Sequence, residues 1–294
     1  MSVAFRFQIL CNNLTVDTET RQQISRRYQI ITARLNYDFW AINSAHEHSI
    51  YVGSYGRGTA VRGFSDLDIL FILPSTLYYR YNQYSYNGQS ALLQVIKQSV
   101  AKSYSNTDIG GDGQVVSVSF CDGITFEIVP AFRRNDDSFI YPDSNNGGSW
   151  KMTNPIPEIN FIKRNNELTN GNLKNLCRMA RAWRKKWNVP MGGLLIDTLA
   201  NNFLIDWKYK NETYLYYDWM TRDFLKYLSN QEENKKYWFA VGSNQYVYRK
   251  GNFEYKAKKC YNLALEAIEY ESNKMTFSAT QKWREIYGTA YPNV

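Results

Sequence analysis

Residues 53–74 read GSYGRGTAVRGFSDLDILFILP, and this stretch decides the fold. From Leu67 to Leu73 every residue but Asp68 is apolar, the composition of a strand buried on both faces, where a carboxylate is ordinarily excluded. Asp66 and Asp68 stand two apart, and successive strand residues point to opposite faces, so both project to the same side. Glu127 sits between Phe126 and Ile128 in ITFEIVPAF, a second acidic position inside an apolar strand. Laid beside the first strand, it completes a three-carboxylate cluster. Three like charges about 4 Å apart repel by roughly 4 kcal/mol per pair at an effective dielectric of 20, and a marginally stable domain cannot carry a cost on the order of 10 kcal/mol. Protons or divalent cations must neutralise it. An all-oxygen set suits Mg2+ or Mn2+, and two such ions can align an attacking hydroxyl and stabilise a departing pyrophosphate. Upstream, Gly53 and Ser54 end a short strand, Gly56, Gly58 and Gly63 let backbone amides approach phosphates, and Ser54 adds a hydroxyl donor.

The chain of 294 residues exceeds the usual size of one domain, so one large domain or two lobes sharing a cleft is expected. Apolar residues make up 44% and charged ones 21%, ordinary globular values that allow a sizeable core and exclude disorder. With 35 Lys and Arg against 27 Asp and Glu, the net charge of +8 favours polyanionic partners: nucleotides, nucleic acid or an acidic surface. No stretch reaches the apolar length of a membrane span, and residues 1–26 lack the apolar core of a signal peptide, so a cytoplasmic protein without membrane contact is expected. Cys11, Cys121, Cys177 and Cys260 have no CxxC spacing and read as buried thiols, and His46 and His48 lack a cysteine partner for zinc.

Residues 16–44 carry helical spacing with Asp17 or Thr18 as N-cap, followed by strand, glycine-rich turn and buried strand. The segment SALLQVIKQSVAKSY reads as a helix, and VVSVSFC and ITFEIVPAF as a hairpin whose second strand ends at Pro130. LYYRYNQYSYNGQS reads as cover for a sheet edge. Residues 135–157, rich in Asn, Asp, Ser, Gly and Pro, read as a long loop or lobe boundary. Beyond it, LKNLCRMARAWRKKW, GLLIDTLANNFLIDW, WMTRDFLKYLSNQ and YKAKKCYNLALEAIEYESN all carry helical spacing, the pattern of a helical bundle.

The pattern GS, then DxD, then a third carboxylate on a neighbouring strand resembles the nucleotidyltransferase superfamily that includes DNA polymerase beta. GSYGRGT, SDLDI, FEIVPAF, the GSWKMTNP segment, the basic helix and the closing QKWREIYGTAYP resemble the cGAS/DncV-like nucleotidyltransferases (CD-NTases) of bacterial CBASS antiphage signalling. The resemblance covers nearly the whole chain. It implies an α+β fold: a polymerase-beta-like core with a mixed sheet over residues 1–155, including the long N-terminal helix, fused to a C-terminal helical lobe over residues 156–294, bilobed with the active site in the cleft. Asp66 and Asp68 would bind both metals, Glu127 would bind one and help activate the acceptor hydroxyl, and Gly53 and Ser54 would hold the donor phosphates.

Arg178, Arg181 and Lys185 share one helix face and are candidates to clamp a triphosphate, Arg181 occupying the place of the family's phosphate-contacting Lys or Arg; the alternative is a solvated basic face. In YLYYDWM, Tyr217 is the candidate to stack on a base, with core packing as the alternative. The implied reaction joins ribonucleoside triphosphates, ATP and GTP favoured, into a cyclic di- or trinucleotide with release of pyrophosphate, the product acting on a downstream effector. Linear oligonucleotide synthesis or RNA tailing is the second reading. The sequence offers no RNA-binding module, so direct nucleic-acid binding is not favoured. A silent nucleotide-binding protein is disfavoured by the intact Asp66, Asp68, Glu127 and Ser54.

Overall fold

The computed structural model describes residues 1–63, 66–105 and 107–293. The chain opens with α1 (Val3–Leu14), capped by the Ser2 hydroxyl, and α2 (Thr18–Trp40), whose N-cap Asp17 accepts from the Thr20 amide. Then come β1 (Ser49–Tyr51), the single turn α3 (Gly53–Gly56), β2 (Leu67–Ile72), α4 (Ser75–Asn82) and α5 (Gly88–Ala101). Five further strands follow: β3 (Asp108–Asp112), β4 (Val115–Ser119), β5 (Thr125–Arg133), β6 (Phe139–Asp143) and β7 (Ser149–Thr153). The rest is α6 (Pro155–Leu168), α7 (Asn172–Lys186), α8 (Gly193–Asp206), α9 (Tyr217–Ser229), the short strands β8 (Tyr237–Phe239) and β9 (Tyr246–Tyr248), α10 (Glu254–Ser272) and α11 (Thr276–Tyr287).

The chain divides into two compact units. The sheet unit comprises Asp17–Gly56 and Gly63–Ile156. Among the described residues its strands form one mixed sheet in the order β1-β2-β5-β4-β3, with β6 pairing the far part of β5 and β7 pairing β6. β2 and β5 run parallel and the other pairs antiparallel. Two expectations are corrected here. Pro130 does not end its strand. Ala131 gives its carbonyl to Leu73 N at 2.8 Å, so its neighbour Pro130 turns its missing donor to the other side. There it meets a gap, because the β4 partners stop at Ile128 and the β6 partners start at Phe132. Residues 135–157 are also not a loop: β6 and β7 lie within them, pairing Pro142 with Trp150 and Ile140 with Met152. The tyrosine-rich stretch forms the end of α4 and the turn into α5, and its Tyr78 packs on Phe132 and Trp150 at 5.5 and 4.9 Å.

The helical unit comprises Met1–Val16, Arg57–Arg62 and residues 157–294. It therefore takes in α1 and a short excursion from the glycine-rich stretch, both of which lie inside the 1–155 segment expected to form the core domain. The reason is burial. Phe7, Leu10 and Leu14 of α1 and Val61 of the excursion join Trp183, Phe253, Trp283 and Tyr291 in one apolar core. Phe7 presents its ring edge-on to Trp283 and Tyr291 at 5.1 and 5.3 Å. Arg6, fully buried, donates to Thr280 Oγ1 at 2.6 Å and pairs with Glu271. The four helices read from residues 173–273 form as α7, α8, α9 and α10, and the β8–β9 hairpin falls between the last two.

Candidate active site

In the sheet unit β1 ends at Tyr51, and Val52 gives its amide to the Asp68 carbonyl at 2.9 Å. That bond seats α3 beside β2. Gly53 adopts a φ of +58°, and a Cβ built on it would stand 1.8 Å from Asp68 Oδ2. Glycine is required there twice over, by the left-handed backbone and by the carboxylate lying against it. Ser54 follows in the same turn, half-buried. Tyr55 tilts onto Tyr51 at 4.8 Å, and Tyr51 stacks on Tyr28 of α2 at 4.1 Å, so an aromatic stack joins the turn to the long helix.

Asp68 faces Glu127 as its register partner across the parallel β2–β5 pair, and Glu127 faces Ser117 on β4. Both acidic residues are half-buried, while Leu67, Ile69, Phe126 and Ile128 beside them are buried. Strands stand about 4.8 Å apart, so two ionised carboxylates in register repel by about 3–4 kcal/mol at an effective dielectric of 20. Asp66 lies just ahead of β2 and is exposed, and residues 64 and 65 before it lie outside the described residues. Among the described residues no three His, Cys, Asp or Glu side chains converge as a ready ligand set. The structure thus puts Asp68 and Glu127 side by side and Asp66 at the entry to the strand. Carboxylate oxygens on a half-buried face, with a glycine turn clearing room beside Asp68, fit a hard divalent cation.

In the helical unit, Arg178 Nη2 donates to the Gly58 carbonyl at 2.8 Å, and Lys174, one turn earlier on α7, lies where a Gly58 side chain would be, its Nζ 2.9 Å from the built Cβ. Burial and the neighbouring Arg178 push the Lys174 ammonium below its usual pKa. Lys174 is a cation that sequence reasoning missed. Lys185 is exposed near the end of α7.

Arg181 and Tyr217 are corrected. Arg181 is buried, and its guanidinium grips Asp197 with Nη1 on Oδ1 at 2.5 Å and Nη2 on Oδ2 at 2.9 Å, with the carbonyls of Cys177 and Gly193 taking a second bond from each Nη. A guanidinium so saturated does not clamp a phosphate. Tyr217 is 2% exposed, its hydroxyl donates to Asn172 and accepts from Asn175, and its ring packs against Tyr214 and Phe7. No face is left for a base.

Asp197, missed in the sequence, is the hub of this region. Arg57 Nε donates to its Oδ2 at 2.8 Å and Thr59 Oγ1 at 3.0 Å, while Arg57 also pairs with Glu158 at 3.3 Å. Burial alone would raise the Asp197 carboxyl, but the Arg181 and Arg57 guanidiniums outweigh it and hold the carboxyl well below the usual range. The network ties Arg57–Arg62, the continuation of the glycine turn, into the helical unit. The same signal that marks Asp68 was present in GLLIDTLANN, an acid inside an apolar run.

A glycine turn pressed on a strand aspartate, with a second carboxylate in register on the parallel neighbour, defines the class: this is a nucleotidyltransferase with a polymerase-beta-like mixed sheet. The chain belongs to the family described as the Second Messenger Oligonucleotide or Dinucleotide Synthetase domain, whose model matches residues 1–166. It is 24% identical to a probable cyclic nucleotide synthase of Bacillus cereus (strain VD146), over 85% of this chain and 83% of that one. Its fold is similar to that of CdnC from E. coli MS115-1 solved with ATP, with a TM-score of 0.70 at 18% identity over 99% of this chain and 98% of that one. It is likewise similar to the CD-NTase CdnG of Bradyrhizobium diazoefficiens solved with GTP, with a TM-score of 0.69 at 10% identity over 98% and 95%. The family generally uses divalent metal ions. Among the described residues no helix is long and apolar enough to cross a membrane.

Proposed function

We propose that this cyclic nucleotide synthase joins purine ribonucleoside triphosphates, ATP and GTP among them, into a cyclic di- or trinucleotide that acts as a messenger on a separate effector in antiphage defence. The observation that carries the reading is the in-register pair Asp68 and Glu127 with Gly53 against Asp68. In each bond-forming step a ribose hydroxyl of one nucleotide attacks the α-phosphorus of another. The new P–O bond forms as the bond to the β-phosphate breaks, pyrophosphate leaves with the electron pair, and the hydroxyl proton passes to Glu127 or water. Asp66, Asp68 and Glu127 would hold two Mg2+ or Mn2+ ions, which when bound offset the charge gathering on the phosphates. Gly53 and Ser54 hold the donor phosphates. On α7, Arg178 and Lys185 are the cations proposed to contact a triphosphate. Ring closure repeats the same chemistry within the bound linear product.

The test is to incubate the protein with labelled nucleoside triphosphates and Mg2+ or Mn2+, treat with phosphatase and separate the products. A phosphatase-resistant product, lost when ATP or GTP is omitted and absent with Asp68→Asn, is expected. A ladder of phosphatase-sensitive oligomers would replace this reading with linear transfer.

A further inference from the structure

The glycine-rich stretch does two things in succession. Gly53–Gly56 forms the turn against Asp68; the chain then leaves the sheet unit at Gly56, runs through the helical unit as Arg57–Arg62, and resumes in the sheet unit at Gly63, ahead of Asp66 and Asp68. One excursion of the backbone thus follows the turn and precedes the acidic strand. Its side chains face inward: Arg57 is 7% exposed, and Thr59, Ala60 and Val61 are buried with it. An arginine in a glycine stretch of this kind invites reading as a phosphate contact, but Arg57 is committed to protein carboxylates.

Asp197 is the anchor. Fully buried, it accepts from Arg57 Nε at 2.8 Å, from Thr59 Oγ1 at 3.0 Å, and from Arg181 Nη1 and Nη2 at 2.5 and 2.9 Å. Glu158 takes a bond from Arg57 Nη1 at 3.3 Å and is itself held by Ser243 Oγ at 2.8 Å. Between Arg57 and Thr59, Gly58 at a φ of +70° gives its carbonyl to Arg178 Nη2 at 2.8 Å, and at the far end the Arg62 amide bonds to the Leu14 carbonyl at 3.1 Å. The excursion cannot shift without breaking several charge-assisted bonds at once. Upstream, the Gly56 amide bonds to the Val52 carbonyl at 2.8 Å, so one peptide link, Gly56 to Arg57, joins the turn to the clamp.

We infer that Asp197 is a positioning residue for nucleotidyl transfer: through Arg57 and Thr59 it fixes the excursion whose one end leads from the turn of Gly53 and Ser54 and whose other leads to Asp66 and Asp68. The inference rests on the reading of those residues as the phosphate turn and the metal ligands. Asp197 has no exposed surface and touches no substrate. A buried ion pair is weak support for stability alone, because packed apolar side chains can replace it without loss; what its directional bonds add is a single place for the segment they hold. With the clamp loosened, turn and carboxylates remain but are displaced, and about 1 Å at a reacting centre costs about 100-fold in rate.

The test compares the whole chain with Thr59→Val, Thr59→Ser and Asp197→Asn, and with Ile286→Val, a trimming of the buried core on α11. Thr59→Val removes the hydroxyl donor at nearly constant shape and is expected to lower kcat for pyrophosphate release about tenfold or more, with a urea midpoint no lower than that of Ile286→Val. Thr59→Ser should stay within about twofold of the parent, and Ile286→Val should keep the parental kcat. Asp197→Asn, whose amide cannot accept from both guanidiniums, should lose more than Thr59→Val. A second readout needs neither nucleotide nor metal: hydrogen exchange over residues 52–59, the Gly56 amide above all, should be at least about tenfold faster in Thr59→Val and unchanged in Ile286→Val. Parental kcat in Thr59→Val, unchanged exchange there, no recovery with Thr59→Ser, or an equal loss in Ile286→Val would each overturn the assignment. Should Asp197→Asn not fold, the Thr59 variants decide. A parent that releases no pyrophosphate would remove the proposed reaction instead, and exchange would still decide whether the clamp holds the turn.

Discussion

Gly53 and Asp68 constrain each other at the scale of single atoms. A methyl group at position 53 overlaps the carboxylate oxygen, so Gly53→Ala must push either the turn or Asp68 aside. Displacements near 1 Å at a reacting centre cost about 100-fold in rate. Gly53→Ala is therefore expected to lower kcat/KM by about 100-fold or more while urea denaturation shows a folded protein. Asp218 makes the opposite kind of prediction. Burial pushes its carboxyl up to about 6, and the Trp219 amide and Arg222 only partly oppose this. A folded-state pKa above the unfolded value means its contribution is favourable at low pH and is lost as pH rises through about 6. Asp218→Asn should thus stabilise the protein by on the order of 2–3 kcal/mol at pH 7.5 and by nothing below pH 4, read from denaturation midpoints across that range. Asp68 was legible in the sequence because an acid among strand apolars has few explanations. Arg181 was misread because spacing puts residues on a helix face but does not say whether that face meets water or Asp197.

At the scale of elements, what the sequence hid is what pairing at a distance creates. Residues 135–157 have a loop's composition, yet β6 and β7 form because β5 runs past β4 and leaves Phe132 and Arg133 free to start a second ladder. Strands β8 and β9 span three residues each, too short to show alternation, whereas α7 and α10 carry many turns of pattern and were legible. The hairpin's turn offers a check. Gly242→Ala meets both a left-handed backbone and the Pro157 carbonyl, and is expected to destabilise by about 1–3 kcal/mol in urea titration. Between α7 and α8, Arg181→Ala leaves Asp197 buried with one guanidinium fewer and should cost about 3–5 kcal/mol.

At the scale of the whole molecule, the net charge of +8 stands against a facing pair of carboxylates, Asp68 and Glu127, and in the proposed reaction nucleotide and cation would offset both. Chelating divalent ions with EDTA is expected to abolish product, and added Mg2+ or Mn2+ to restore it, as read by product separation. The two-unit division also sets an order of events during synthesis. The whole sheet unit lies within residues 17–156, of which only Arg57–Arg62 belong to the helical unit, so it can close as soon as they are made. α1 cannot. Its Phe7, Leu10 and Leu14 share a core with Trp183, Tyr217, Trp283 and Tyr291, and Arg6 waits for Glu271 and Thr280. α1 is made well before Trp283 and Tyr291, so its apolar face is held open while the residues between them are translated. A chain cut before Trp283 would leave that face uncovered, and such copies should aggregate through α1.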